Sequence, residues 1–189
     1  METDVYQFVQ GYFRRNVENF GAVFRKSNLQ TEIDALDASI LSSNISVKAS
    51  MRQDITINAL NTFLLNFPVK ISTPDDVLFR IQSSAFEFKG VVATIKNKLS
   101  STVLQVFDLD GNILLDNVGE YTPSTGIIAV NSFEPSQIIS GQPYLIFSVS
   151  PETESNIKPL RNFILKLDTA RSSTTAIVDR QTTSLEVTV

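Results

Sequence analysis

Histidine is absent from the 189 residues. Its absence removes Ser-His and Cys-His nucleophile pairs, histidine metal sites and the commonest general base. Cysteine is absent as well, so no disulfide staples the fold, which fits a cytosolic assembly. Long apolar runs are missing. Ile127-Ile128-Ala129-Val130 is among the longest, far short of the roughly 18 to 20 residues of a membrane span, so no membrane partner is expected. The N-terminus shows no basic region followed by an apolar one, and no signal peptide is expected. Basic charge is in the minority: 16 Lys and Arg against 20 Asp and Glu give a net charge of −4. A nucleic-acid partner would require a basic face. Arg14-Arg15 with Arg25-Lys26 reads instead as a solvated helix face. None of the glycine-rich phosphate loops or nucleophile-elbow patterns is present. No cofactor and no metal are therefore expected.

What remains is a chain of 42% hydrophobic and 19% charged residues, values of a globular domain long enough for a substantial core. Residues 3–20 read as an amphipathic helix capped by Thr3 or Asp4. Val5, Phe8, Val9, Tyr12, Phe13, Val17 and Phe20 recur at steps of three and four. Gly21 suits the position after the helix, where φ > 0 is needed. Ser27 and Gln30 form a capping-box pattern for a second helix with Leu29, Ile33, Leu36, Ile40 and Leu41 on one face. Asp37-Ala38-Ser39 could split it, because Asp and Ser compete for local backbone bonds. Ser42-Ser43-Asn44 ends it.

From Ile45 the period changes to two. Ile45, Val47 and Ala49 alternate with polar residues, as do Ile55, Ile57 and Ala59. Phe63 to Ile71 continues the strand pattern, with Pro68 marking an edge or bulge. Thr73-Pro74-Asp75-Asp76 is turn chemistry. Phe79 and Ile81, Phe86 and Phe88, and Val91 to Ile95 follow as strands. Thr102 to Phe107 and Asn112 to Leu115 flank Asp108-Leu109-Asp110-Gly111, the clearest hairpin in the chain. Residues 132–142 read as a loop, Tyr144 to Val149 as a buried strand and 151–159 as the least structured stretch. Phe163, Leu165 and Leu167 alternate again, and Ser184 to Val189 reads as a terminal strand. The expected fold is α+β: two N-terminal helical segments (1–43), then a mostly antiparallel β sheet or sandwich (44–189).

Several motifs could carry chemistry. Asp108-Leu109-Asp110-Gly111-Asn112 resembles the start of a calcium loop. Its glycine is fourth rather than sixth and Gly119 occupies the twelfth position, so an Asp-Gly turn is the better reading. Asp75-Asp76 and Glu152 with Glu154 could pair carboxylates for hydrolysis or metal binding. Acidic residues in turns are more simply solvated. Ser42-Ser43 and Ser172-Ser173 lack any base.

The blocks Asn19-Phe20-Gly21-Ala22-Val23-Phe24-Arg25 and Thr31-Glu32-Ile33-Asp34-Ala35-Leu36-Asp37-Ala38-Ser39-Ile40-Leu41-Ser42-Ser43 resemble the C-terminal region of the large baseplate wedge subunit of T-even-type contractile-tailed phages, a relative of the baseplate J-like proteins. Weaker similarity touches Phe67-Pro68-Val69, Thr73 to Asp76, Asp116 to Gly119 and Lys158 to Asn162. The resemblance implies a non-catalytic structural protein of the bacteriophage virion, in the tail baseplate. Its partners would be a second copy of itself, as a homodimer, and other wedge proteins. Val5, Phe8, Val9, Tyr12, Phe13, Leu29, Ile33, Leu36 and Ile40 are the candidate interface residues, because a helix at a chain terminus has little following sequence to enclose it. A host-surface or carbohydrate-binding β module of a phage particle is the alternative, signalled by Tyr121 or Tyr144 exposed in a groove.

Overall fold

The computed structural model describes residues 1–160 and 163–177. Helix α1 (Glu2–Asn16) is followed by a short strand β1 (Phe24–Arg25) and helix α2 (Lys26–Asp34). Strands β2 (Ala49–Asp54), β3 (Asn61–Asn66), β4 (Ile81–Ser83), β5 (Phe86–Phe88), β6 (Val91–Asn97) and β7 (Val103–Asp108) come next. Then follow β8 (Ile113–Thr122), β9 (Ile127–Phe133), β10 (Gln137–Ile138), β11 (Tyr144–Val149) and β12 (Asn156–Ile157). The expected α+β class is what the chain adopts: helices first, then a mostly antiparallel sheet curled until it is nearly a barrel.

The main sheet runs β2-β11-β4-β6-β7-β8-β9-β3, with β5 beside β6 and β10 beside β5. Its end strands, β2 and β3, are consecutive in sequence, joined by residues 55–60, yet form no ladder with each other. The curl brings β3 across the inside. The ring of Phe63 lies 5.8 Å from that of Phe147 on β11, edge to face. Period-two alternation makes this core. Leu145, Phe147 and Val149 point inward, with Ala93 and Ile95, Leu104 and Val106, and Ile128 and Val130 from the neighbouring strands, all fully buried. Each large apolar side chain so buried contributes about 1.5–3 kcal/mol before entropy is counted.

The buried Asn97 is engaged at both its side-chain oxygen and its side-chain nitrogen. Asn97 Oδ1 accepts the N–H groups of Arg80 (2.7 Å) and Ile81 (3.0 Å), while Asn97 Nδ2 donates to Lys98 O. These bonds replace ladder bonds where β4 meets β6 at one residue pair only. The expected β7–β8 hairpin is present. Asp108 Oδ1 accepts from Asn112 N (2.7 Å) and Oδ2 from Asn112 Nδ2 (2.8 Å), and Gly111 sits at φ +90°. The Asn112 side chain in particular holds the Asp108 carboxyl below its usual range. Both oxygens serve the turn, so this is a hairpin clamp and not a calcium loop.

Several boundaries differ from the sequence reading. The first helix ends at Asn16 rather than at residue 20, and Phe20 is 71% exposed in the turn that follows. Gly21 does take positive φ, at +75°. The Ser27–Gln30 capping box does not form. Helix α2 begins at Lys26 from an extended Arg25, without a side-chain cap, and Gln30 Nε2 donates to Ser43 O. The helix stops at Asp34. Asp37 Oδ1 accepts from both Ser39 N (2.8 Å) and Ser39 Oγ (2.7 Å), the local competition that ends helices. Residues 55–60 turn rather than extend. Residues 132–142, expected as loop, hold the end of β9 and all of β10. Residues 151–159 contribute β12, which pairs with β1, Phe24 opposite Ile157 and Arg25 opposite Asn156. Phe163, Leu165 and Leu167 belong to no strand, and the expected terminal strand 184–189 lies outside the described residues.

Candidate assembly interface

The apolar stripe of α1 is aimed at its own subunit. Tyr12 is buried, and its hydroxyl is pushed to a higher pKa first by that burial and then by nearby Glu32. Phe13 stacks on Phe24, rings 5.4 Å apart and 25° from parallel. Phe24 in turn belongs to the β1–β12 ladder. Lys26 N donates to Ser155 O (3.0 Å), and Lys26 Nζ lies 3.8 Å from Glu154. The helices are thus tied to residues 154–157 by a long-range strand pair, a small sheet of its own, that turn-rich residues 151–159 gave no sign of.

The nine candidate residues divide into three groups. Tyr12, Leu29 and Ile33 are enclosed within the subunit. Val5, Phe8, Val9 and Phe13 are half-buried, packed against the core on one side. Leu36 is 42% exposed and Ile40 half-buried, both beyond the end of α2. Leu41 (78%) and Phe20 extend the exposed apolar surface of this N-terminal region. The segment 163–177 contacts α1 as well: Tyr6 Oη donates to Thr169 O (2.7 Å), and Glu2 accepts from Thr174 Oγ1 and Ala176 N.

A second exposed apolar feature was not singled out from sequence. Asp75 Oδ1 accepts the N–H groups of Val77 and Leu78, both at 2.8 Å, and Asp75 Oδ2 meets Arg80 at 2.8 Å. These bonds to the two backbone N–H groups first, with Arg80 adding less, keep the Asp75 carboxyl below its usual range. The braced turn holds Val77 and Leu78 in solvent. The signal was the Thr-Pro-Asp-Asp turn followed at once by two apolar residues.

The remaining motifs are structural. Asp75 is taken up by its own turn, Glu152 lies 3.7 Å from Lys70 and Glu154 faces Lys26. A cleft of about 200 Å³ between Val69, Pro151, Ile157 and Leu160 has Glu152 as its one acidic lining residue, so it does not oppose two carboxylates. Among the described residues, no three His, Cys, Asp or Glu side chains cluster as a metal site would require. Tyr121 is not the exposed aromatic that a carbohydrate site needs. It is 2% exposed, its hydroxyl reaches Ser72 O at 3.4 Å, and burial pushes its pKa up to about 12, with Arg80 acting in the opposite direction. Tyr144 is half-buried beneath Arg52, whose guanidinium carbon lies 4.9 Å from the ring centre.

Residues 1–54 match the family model described as baseplate structural protein gp6, C-terminal domain III. The match takes in α1, β1, α2 and the extended segment after them, and it ends where β2 ends. It contains the two blocks, Asn19 to Arg25 and Thr31 to Ser43, on which the wedge-subunit resemblance rests. The weaker blocks beyond residue 54 lie outside it. No curated protein sequence matches the chain.

Proposed function

We propose, from the premise that residues 1–54 carry the pattern of a baseplate domain III, that this chain is a structural, non-enzymatic component of a contractile phage tail baseplate. It works by association: with a second copy of itself, as a homodimer, and with other wedge proteins. It is assembled in the host cytoplasm and resides in the virion. The family match is the observation that carries this reading. The half-buried rim of α1 supports it. Val5, Phe8, Val9 and Phe13, with Leu36 and Ile40 nearby in sequence order, present apolar surface that the subunit itself covers only in part. Tyr12, Leu29 and Ile33 form the floor under that rim. The helical unit 1–43 and the β unit 44–189 are proposed to be separable, with the helices serving assembly.

Phe8→Asp tests the rim. A carboxylate in an apolar contact is costly wherever that contact is made. At an interface it is expected to weaken self-association by about 2 kcal/mol or more, roughly thirtyfold in Kd. Light scattering would then read monomer, while circular dichroism retains the β signal of the wild type. A lowered melting temperature with the mass unchanged would place Phe8 in the subunit core and remove α1 from the interface.

A further inference from the structure

Strand β2 ends the main sheet with an edge that pairs with no other strand among the described residues. Strand β3, at the other end, carries a bulge between Asn61 and Phe63 and runs into Pro68, devices that discourage edge pairing. Strand β2 has neither. It contains no proline, and its inward residues Ala49, Met51 and Gln53 are uncharged. The alternation of half-buried and exposed residues continues back through Val47 and Ile45, although 45–48 belongs to no ladder among the described residues.

The phase of this edge is fixed. Ile55 N donates to Pro143 O, so the odd-numbered residues of β2 bond to β11, and the N–H and C=O groups of Ser50 and Arg52 point away from the sheet. Gln53 Nε2 donates to the carbonyl of Asp54 (3.0 Å).

We infer that two copies of this chain pair β2 to β2 antiparallel, centred on Met51, with Lys48 of each opposite Asp54 of the other, joining their sheets into one. This rests on the self-association reading above and names an edge that serves it. Charge selects the register. Centring on Met51 sets Ser50 against Arg52 and Lys48 against Asp54, and all four outward side chains are exposed. Lys48 and Asp54 have no ion-pair partner within the subunit among the described residues. Centring on Ser50 would set Lys48 against Arg52, and centring on Arg52 would set that residue against itself; like charges directly opposed are unfavourable. Centring on Gln53 would oppose Arg52 and Asp54 but leaves only residues 52–54 of the strand overlapped. A shift by one residue would send the apolar rows to opposite faces. The Met51 register keeps Val47, Ala49 and Met51 on one face with the buried Ile55 and brings cover to the three that are now half-buried.

The test uses the full chain with Lys48→Asp, Asp54→Lys and their equimolar mixture, followed by sedimentation equilibrium. Each variant alone opposes like charges twice per dimer, and its Kd is expected to rise about tenfold or more. The mixture restores Lys opposite Asp at each crossing and is expected to form mixed dimers near wild-type affinity. Both substitutions are on exposed side chains, and circular dichroism verifies the fold. Wild-type affinity in both single variants, with the wild type dimeric, would overturn the edge pairing and leave self-association to α1. A wild-type chain that is monomeric throughout would overturn the self-association reading itself.

Discussion

Gly119→Ala is expected to cost about 3 kcal/mol or more, lowering the melting temperature by roughly 6–12 °C. Gly119 lies within β8, opposite Leu104 on one side and Val130 on the other, at φ +149°. A Cβ there would sit 2.0 Å from Ala129 O and 3.0 Å from Ala129 C and Val130 Cα. Every one of those atoms is backbone of the adjacent strand, so no side chain can swing aside. The register also shifts between β7 and β8 just before this point, and Gly119 N donates to Asn117 Oδ1 (3.0 Å). The glycine lets β8 change direction while remaining paired on both edges. Gly111 provides the contrast. Its φ is also positive, but nothing lies within 4 Å of an added Cβ, so alanine there carries only the backbone cost of about 1–2 kcal/mol. Thermal denaturation of the two variants checks the ordering. Equal melting temperatures would show that β8 and β9 separate to admit the methyl group.

Phe24→Ala is expected to cost about 3–5 kcal/mol, the range for emptying a fully buried aromatic site, and to concentrate that loss on the helices. Phe24 is fully buried, stacks on Phe13 and anchors the two-residue β1–β12 ladder. That ladder is the only backbone pairing between the helical region and residues beyond 54 among the described elements, apart from Lys26 N to Ser155 O beside it. Ile95, Leu104, Val106 and Phe147 lie in the sheet's part of a core that is continuous with Phe24, and the sheet strands are held by their own ladders. Hydrogen exchange should therefore show protection lost across α1 and α2 in the variant and retained across β7 and β8. Equal loss in both regions would show a single cooperative unit and would set aside the proposed separation of 1–43 from 44–189.

The elements best read from sequence were those whose pattern is local. Tyr144 to Val149, read as a buried strand, is β11, and Asp108 to Asn112 gave the hairpin. Helix ends were read poorly, because the deciding interactions are not patterns of apolar residues. Helix α2 stopped at Asp34, ahead of the Asp37-Ala38-Ser39 break that the sequence offered, and Gln30 reached Ser43 instead of capping. The candidate interface was legible as a stripe but not as a burial map. Tyr12, Leu29 and Ile33 are buried in the same core as Phe24 and Ile157, which residues 156–157 join by pairing with β1. A contact between positions about 130 residues apart leaves no mark in either stretch. The β2 edge was hidden for a related reason, since strand order decides which strand is left without a neighbour.

The central claim is that this chain associates with itself as a baseplate structural component. Sedimentation equilibrium of the wild-type chain across a wide concentration range tests it most directly. The chain has a mass of 21.0 kDa. The account predicts a mass that rises with concentration and levels at twice that value. A mass that stays at 21.0 kDa across the whole range would contradict it.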